Sequence, residues 1–472
     1  MGERLLKRLA EKGHNVDIAT HFPSEEVPAR YKQMSLEGVV HSLTNNMSIH
    51  YTKDYSVYRF IRFVCTNEAE QCRTILNSPI LQNIKRTQKK YDLVVTQILS
   101  YDCMLGFGNF FNATIVSLVT FVSLPWASDR VGNPDNPSYI PNYFAQVNSN
   151  MNLYQRIENV ISLLESKFFN NFFGSEQCNR AAQEFFGANL PTLESLAQET
   201  NLILINNHFS MNVWPTVKNV IEIGGLHVHE PRPLSKYFES LVTTDARGII
   251  FLSMGSMMMT ETFSPDKLQG MFDAFAELPY KVLWKAVPEK FPKGLVIPEN
   301  IHFEKWMPQM DILCHPSVKL FISHGGLLGG QEAVYCGVPR IGIPLFADQN
   351  KNILLAEEMG IAVKVSYNDI SKETILSAVG RILKDTTYTQ NTERISRLFR
   401  DRPLSPLDTA VYWLEHVIKH KGAPHLQSPA AVSPWYQYYL IDVGLILVFV
   451  FFAALCVTVL LLRTVARLIC GT

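Results

Sequence analysis

The sequence predicts two α/β domains facing each other across a cleft, followed by one transmembrane helix. Three observations predict it. Short apolar runs alternate with helix-compatible stretches through most of the 472 residues, a Gly- and Pro-bearing segment near the middle separates two such series, and a 20-residue uncharged stretch lies near the C-terminus. This length accommodates two full cores, and 47% hydrophobic content suits a globular body with one extra apolar segment. Lys plus Arg equals Asp plus Glu at 43 each, so the charge balance gives no reason to expect a nucleic acid or another polyanion as partner. Eight cysteines show no C-x-x-C pair and no metal-ligand spacing, which indicates neither a zinc site nor a disulfide scaffold. Cys65 and Cys72 are either a pair or two ordinary thiols.

The opening stretch, MGERLLKRLAEKGHNVDIATHFP, places Leu5, Leu6 and Leu9 on one helical face, with Gly13 suited to the helix end and NVDIATHF alternating like a strand. It has no apolar signal region. Such a helix normally crosses over from a preceding parallel strand, so the first domain is expected to lack its first strand. KYDLVVTQIL (90–99), ATIVSLV (113–119) and NLILINN (201–207) are the next strands, bounded by polar residues as in a parallel sheet. The second series comprises GIIFLSMGS (248–256), YKVLWKA (280–286), IHFEKWMPQ (301–309), VKLFISHGG (318–326) and PRIGIPLF (339–346). The expected divisions are a first domain at 1–228, a linker at 229–247, a second domain at 248–420 and a juxtamembrane segment at 421–442.

Val443 to Leu462 then runs 20 residues without a charge. At a rise of roughly 1.5 Å per residue it covers about 30 Å, the thickness of a bilayer's hydrocarbon. Trp435, Tyr436, Tyr438 and Tyr439 precede it as an interfacial belt, and Arg463 and Arg467 follow, which puts the tail (463–472) in the cytosol and the body on the other side of the lipid bilayer. Asn46-Met-Ser48 and Asn112-Ala-Thr114 are glycosylation sequons, compatible with that topology.

The stretch SHGGLLGGQEAVYCGVP (323–339) carries the chemistry. A buried strand ends in a glycine-rich loop that opens a helix, which presents backbone N–H groups and the positive end of a helix dipole to an anion, most naturally phosphate. His324 at the strand tip can donate to a phosphate oxygen, and Glu332 in the first helical turn can accept from ribose hydroxyls.

Read with its flanks, WMPQMDILCHPSVKLFISHGGLLGGQEAVYCGVPRIGIPLFADQNKN (306–352) resembles the nucleotide-sugar signature of the UDP-glycosyltransferase family, and the resemblance extends through GHNV, SYDCMLG (100–106), FLSMGS (251–256) and the membrane tail. It is closest in kind to the invertebrate branch using UDP-glucose. The resemblance implies two Rossmann-like domains of the GT-B type, the first binding the acceptor and the second the UDP-sugar. It implies that Trp306 stacks on uracil, Gln309 bonds the uridine, and Ser256 and His324, with the amides after Gly325 and Gly326, hold the diphosphate. Glu332 would grip the ribose, and Asp348 and Gln349 the sugar hydroxyls.

The chain has no D-x-D, in keeping with the metal-independent, inverting displacement the family implies, with UDP-sugar as co-substrate and no cofactor. The family's base histidine would fall a couple of residues before Met1. His14 reads as a turn residue and His21 does not match the base position. Its acidic partner would be Asp102; the alternative register places Gln97 there, which could not serve as a carboxylate. A chain without that base binds UDP-sugar and transfers poorly, which leaves a non-catalytic partner of full-length relatives as the other reading. FGNFF (107–111) and FFNNFF (168–173) are aromatic surface for a hydrophobic acceptor, or core. Two positions depart from the family pattern. Gly330 stands where a larger residue is common, and Arg340 where an apolar strand residue is usual, so that Arg340 either reaches solvent along the sheet or costs stability. By resemblance the protein is a single-pass type I membrane protein of the endoplasmic reticulum with a lumenal body. Homo- or hetero-oligomers remain open.

Overall fold

The computed structural model describes residues 1–41, 44–51, 58, 61–62, 68–87, 89–98, 102–243 and 247–471. Its strands are β1 (Val16–Thr20), β2 (Tyr31–Ser35), β3 (Leu93–Gln97), β4 (Thr114–Val119), β5 (Thr200–Ile205), β6 (Val220–Glu222), β7 (Ile249–Ser253), β8 (Lys281–Lys285), β9 (Ile301–Glu304), β10 (Val318–Ser323), β11 (Arg340–Gly342) and β12 (Ala362–Lys364). The helices that matter below are α1 (Gly2–Glu11), α2 (Glu68–Leu76), α3 (Pro125–Val131), α4 (Gln309–Leu313), α5 (Leu327–Tyr335), α6 (Gln349–Glu358), α7 (Pro406–His420) and α8 (Ile441–Cys470).

Every strand pair is parallel. The first half holds a sheet ordered β3-β4-β5-β6 and a separate pair β1-β2. The edges of β1 and β3 share no ladder. Asp17 of β1 reaches across instead, accepting from Lys89 Nζ and Tyr91 Oη at 2.7 Å each. Leu5 and Leu9 of α1 are buried against Val16, Val116 and Leu118, which ties the two sheets into one core.

The second half is a six-stranded sheet ordered β12-β11-β10-β7-β8-β9. Strand order reverses between β7 and β10, and in open α/β sheets ligands bind at the carboxyl ends of the strands beside such a reversal. All five residues of β7 are buried, as continuous apolar runs in a sheet covered on both faces should be.

Two findings differ from the sequence-based reading. Helix α7 falls inside the expected second domain, 248–420, but packs on the first half: Ala410, Val411, Leu414 and Val417, spaced for one helical face, bury against Leu5, Leu9, Leu202 and Leu204. His14 Nε2 meets Glu415 at 3.1 Å on the same seam. The cysteines also pair. Cys72 on α2 joins Cys103, with Cα atoms 6.2 Å apart, and Cys314 after α4 joins Cys336 after α5 at 4.6 Å. Sequence spacing misleads here because α2 lies over the turn that follows β3. Cys65, and residues 244–246 of the expected linker, lie outside the described residues.

Helix α8 covers 30 residues and is long and apolar enough to cross a membrane, with none of its apolar span buried in the protein. At about 1.5 Å per residue it is longer than the hydrocarbon requires, so its ends reach the interfacial layers.

Candidate functional site

The loops after β7 and β10 meet at the strand-order reversal. Gly255, at φ +78°, and Gly326 flank the imidazole of His324: a Cβ on Gly255 would lie 2.6 Å from its Cε1, and one on Gly326 2.4 Å from its Nε2. The glycines are therefore bare because the histidine occupies the room their side chains would need. Gly325, at φ +82°, admits α6, since a Cβ there would stand 2.5 Å from Ile353. Burial and the nearby Lys285 push the His324 imidazole down to about 4, so it is neutral, and its buried Nδ1 has no partner among the described residues. Ser256, exposed, lies two residues beyond Met254 on the same rim.

Lys285 ends β8 beside these loops, where its Nζ donates to Gly255 O at 2.6 Å and to Asn45 Oδ1 at 3.3 Å. Burial lowers its pKa. It adds a positive side chain at this rim that can face a diphosphate, and sequence reasoning passed over it because a lysine ending a strand looks like any solvent-facing one.

The next strand end supplies a flat surface. Trp306, between β9 and α4, is 67% exposed, which is unusual for so large an apolar ring and suits a stacking platform. Gln309 at the start of α4 donates from Nε2 to Glu332 Oε2 at 2.6 Å. Burial pushes the Glu332 carboxyl up to about 7. His227 stands 3.7 Å from Glu332 Oε1 and bonds Leu328 O at 3.0 Å, and burial drives it down to about 4, so it brings no positive charge to the carboxylate. The structure thus brings together Trp306, Gln309 and Glu332 on one side and Ser256, His324, Gly325 and Gly326 on the other.

Asp348 and Gln349 lie deeper than a sugar-facing pair on an open rim. Asp348 accepts from Asn352 Nδ2 at 3.0 Å and from the Val122 amide of the first half, and burial raises its pKa. Gln349 Oε1 accepts from the amides of Leu345 and Phe346 at 2.9 and 3.2 Å. Asp348 therefore marks the seam between the halves. Asp102 is taken up by an ion pair with buried Arg130 on α3, and Gln97 bonds Thr120 at 3.0 Å. His21 bonds Leu36 O at 3.0 Å.

Arg340 does not reach solvent. Its side chain is fully enclosed, its Nη1 sits where a Gly330 side chain would be, and burial lowers its pKa to about 10. The phenylalanines of 107–111 divide by position: Phe107 is core, while Phe110 is exposed.

Comparison with known proteins bears on the family and the fold. A family model described as UDP-glucoronosyl and UDP-glucosyl transferase matches residues 9–471. UDP-glucosyltransferase 2 of Dactylopius coccus is 40% identical over 97% of this chain and 88% of its own length. Human UDP-glucuronosyltransferase 2B7 is 36% identical over 66% of this chain and 58% of its own. Among solved structures, the kitacinnamycin glycotransferase superposes with a TM-score of 0.59 at 16% identity, covering 89% of this chain and 94% of that one. CalG4, the calicheamicin glycosyltransferase, gives 0.57 at 15% over 88% and 94%. At these identities the structures speak for the GT-B fold alone.

Proposed function

The chain belongs to the UDP-glucoronosyl and UDP-glucosyl transferase family, and from that premise we propose that it transfers a hexose, glucose before glucuronate, from UDP to small lipophilic alcohols or phenols. The observation that carries the reading is that the His324–Lys285 rim, the Gln309–Glu332 pair and the exposed Trp306 plate all follow the carboxyl ends of strands of one sheet, beginning at its strand-order reversal. Each group meets a different part of a UDP-sugar: ring, ribose and diphosphate.

The transfer forms a bond between the acceptor oxygen and the anomeric carbon on the face opposite the leaving group, and breaks the bond to the UDP oxygen. The acceptor's proton leaves to a base, and negative charge grows on the departing diphosphate. Neutral donors and one cation preorganised at that oxygen favour the transition state over the ground state. Lys285 and the His324 imidazole have those properties, with the first-turn amides of α5 beside them. The displacement requires no metal, because these donors and the cation meet the charge that develops on the diphosphate.

We place the body on the lumenal side of the endoplasmic reticulum. Two disulfides suit an oxidising compartment, and the sequon residues Asn46 and Asn112 are both exposed. The test is the full chain in detergent with UDP-glucose and, separately, UDP-glucuronate, against a panel of phenols and alcohols. Glycoside formed in step with released UDP is the expected result. UDP-glucose bound but transferred to no acceptor would sink the enzymatic reading in favour of a UDP-sugar-binding partner.

A further inference from the structure

Between the halves, beside the glycine loop, lies a cavity walled mainly by apolar groups: Phe121 and Leu124 after β4, Ile205 at the end of β5, Tyr143, Trp214, and Leu327 at the start of α5. One side chain from the second half enters it with a charge. Lys351 on α6, three residues beyond Asp348, is 2% exposed. Its Nζ donates to Pro141 O at 2.6 Å and stands 4.3 Å from the centroid of the Trp214 ring.

No carboxylate lies within 4 Å of that ammonium among the described residues. Asp348 is bound by Asn352 and the Val122 amide, and Asp135, which also lines the cavity, is paired with Lys167 at 2.6 Å. Lysines are almost never fully buried without a counter-charge. An ammonium has three N–H donors, and here one carbonyl and one ring face are its partners. The remaining donor capacity faces a cavity whose other lining is mainly apolar with neutral amide and hydroxyl groups, Asp135 being paired with Lys167, and a carboxylate is the group that completes it, by neutralising the charge and accepting the free N–H bonds.

We propose that Lys351 receives a substrate carboxylate in this cavity, carried by an acceptor of the hydroxybenzoate type or by C6 of a hexuronate donor. The inference rests on the transferase reading of the cleft. Burial lowers the Lys351 pKa to about 7 against the opposing pull of the Asp348 carboxylate, which makes no direct contact with it, and an incoming carboxylate in contact would hold the proton on.

The experiment measures calorimetric binding to the full chain in detergent, using 4-hydroxybenzoate against its neutral isostere 4-hydroxybenzamide, and UDP-glucuronate against UDP-glucose. The expected result is a preference for one carboxylate of about tenfold, the worth of a charge-assisted hydrogen bond. It should be kept in Lys351→Arg and lost in Lys351→Met. Preference within the benzoate pair assigns the carboxylate to the acceptor, and preference within the UDP-sugar pair assigns it to the donor. Equal affinities within both pairs for the native chain, or a preference that survives in Lys351→Met, overturns the proposal. If neither UDP-sugar binds while the benzoate preference stands, the transferase reading fails and the Lys351 site remains.

Discussion

The room vacated at Gly330 is filled by the guanidinium of Arg340: a Cβ built on Gly330 of α5 would lie 2.4 Å from Nη1 of Arg340 on β11. The two positions that depart from the family pattern are thus one feature, a small residue on the helix matched to a large one on the strand. Gly330→Ala should destabilise the chain by about 1–3 kcal/mol through overpacking. Arg340→Val in that background should recover most of the loss. Arg340 Nη2 has no hydrogen-bond partner among the described residues, so replacing the buried charge alone should cost little or add stability. Urea midpoints of the two single variants and the double variant check this, and additive effects would show that the two sites are independent.

Glu332 offers a pH-dependent test. Its pKa is raised from 4.5 to about 7, so the folded chain holds a proton there that the unfolded chain has released. That contribution to stability is complete below pH 4.5 and is lost as pH rises through 7. Ribose recognition runs the other way, because the deprotonated carboxylate is the better acceptor for the diol. Uridine, which has no phosphate to titrate, should bind about tenfold more tightly at pH 8 than at pH 6, following the ionised fraction. Glu332→Gln should flatten both profiles. His227, neutral across this range, does not contribute to the change.

The legible part of the fold was the part under strong burial. GIIFLS and KLFIS read as strands because a parallel sheet covered on both faces tolerates little except apolar residues, and the glycine loop read as an anion site because strand, loop and helix start are contiguous. β2, YKQMS, and the three-residue strands β6 and β12 were missed, since short or polar edge strands leave no periodicity. The disulfides escaped because Cys72 and Cys103 stand 31 residues apart with no pattern between them. Lys351 was hidden in a stretch, ADQNKN, whose composition reads as solvent-facing loop, although α6 turns it inward. Whether Arg340 stayed in or came out depended on space at a residue ten positions away, which no single position encodes.

Cys314 and Cys336 clip the end of α4 to the end of α5, the two helices that supply Gln309 and Glu332. Their separation of 22 residues corresponds to about 3 kcal/mol of loop-closure entropy. Reduction, or the Cys314→Ser, Cys336→Ser double variant, should lower the thermal midpoint of the second half. It should also weaken uridine binding, since the Gln309–Glu332 spacing loses its clamp. Differential scanning fluorimetry with and without reductant reads the first effect. A double variant with native stability and native uridine affinity would reduce the bridge to an incidental contact.

Lys285 separates charge recognition from base recognition. It meets the Gly255 carbonyl at the rim where a diphosphate would lie, one strand end over from the Trp306 stacking surface. Lys285→Met should therefore weaken UDP binding by about 10- to 100-fold, the cost of one charge-assisted contact, while leaving uridine affinity within about twofold. Trp306→Ala should weaken both ligands alike. The native preference for UDP over uridine should fall as salt is raised, and the Lys285→Met variant should show a shallower fall because one of the screened contacts is gone. Calorimetry of both ligands at low and high salt checks the three expectations together. A Lys285→Met chain that lost uridine and UDP binding equally would place the lysine in support of the loop rather than opposite the phosphates.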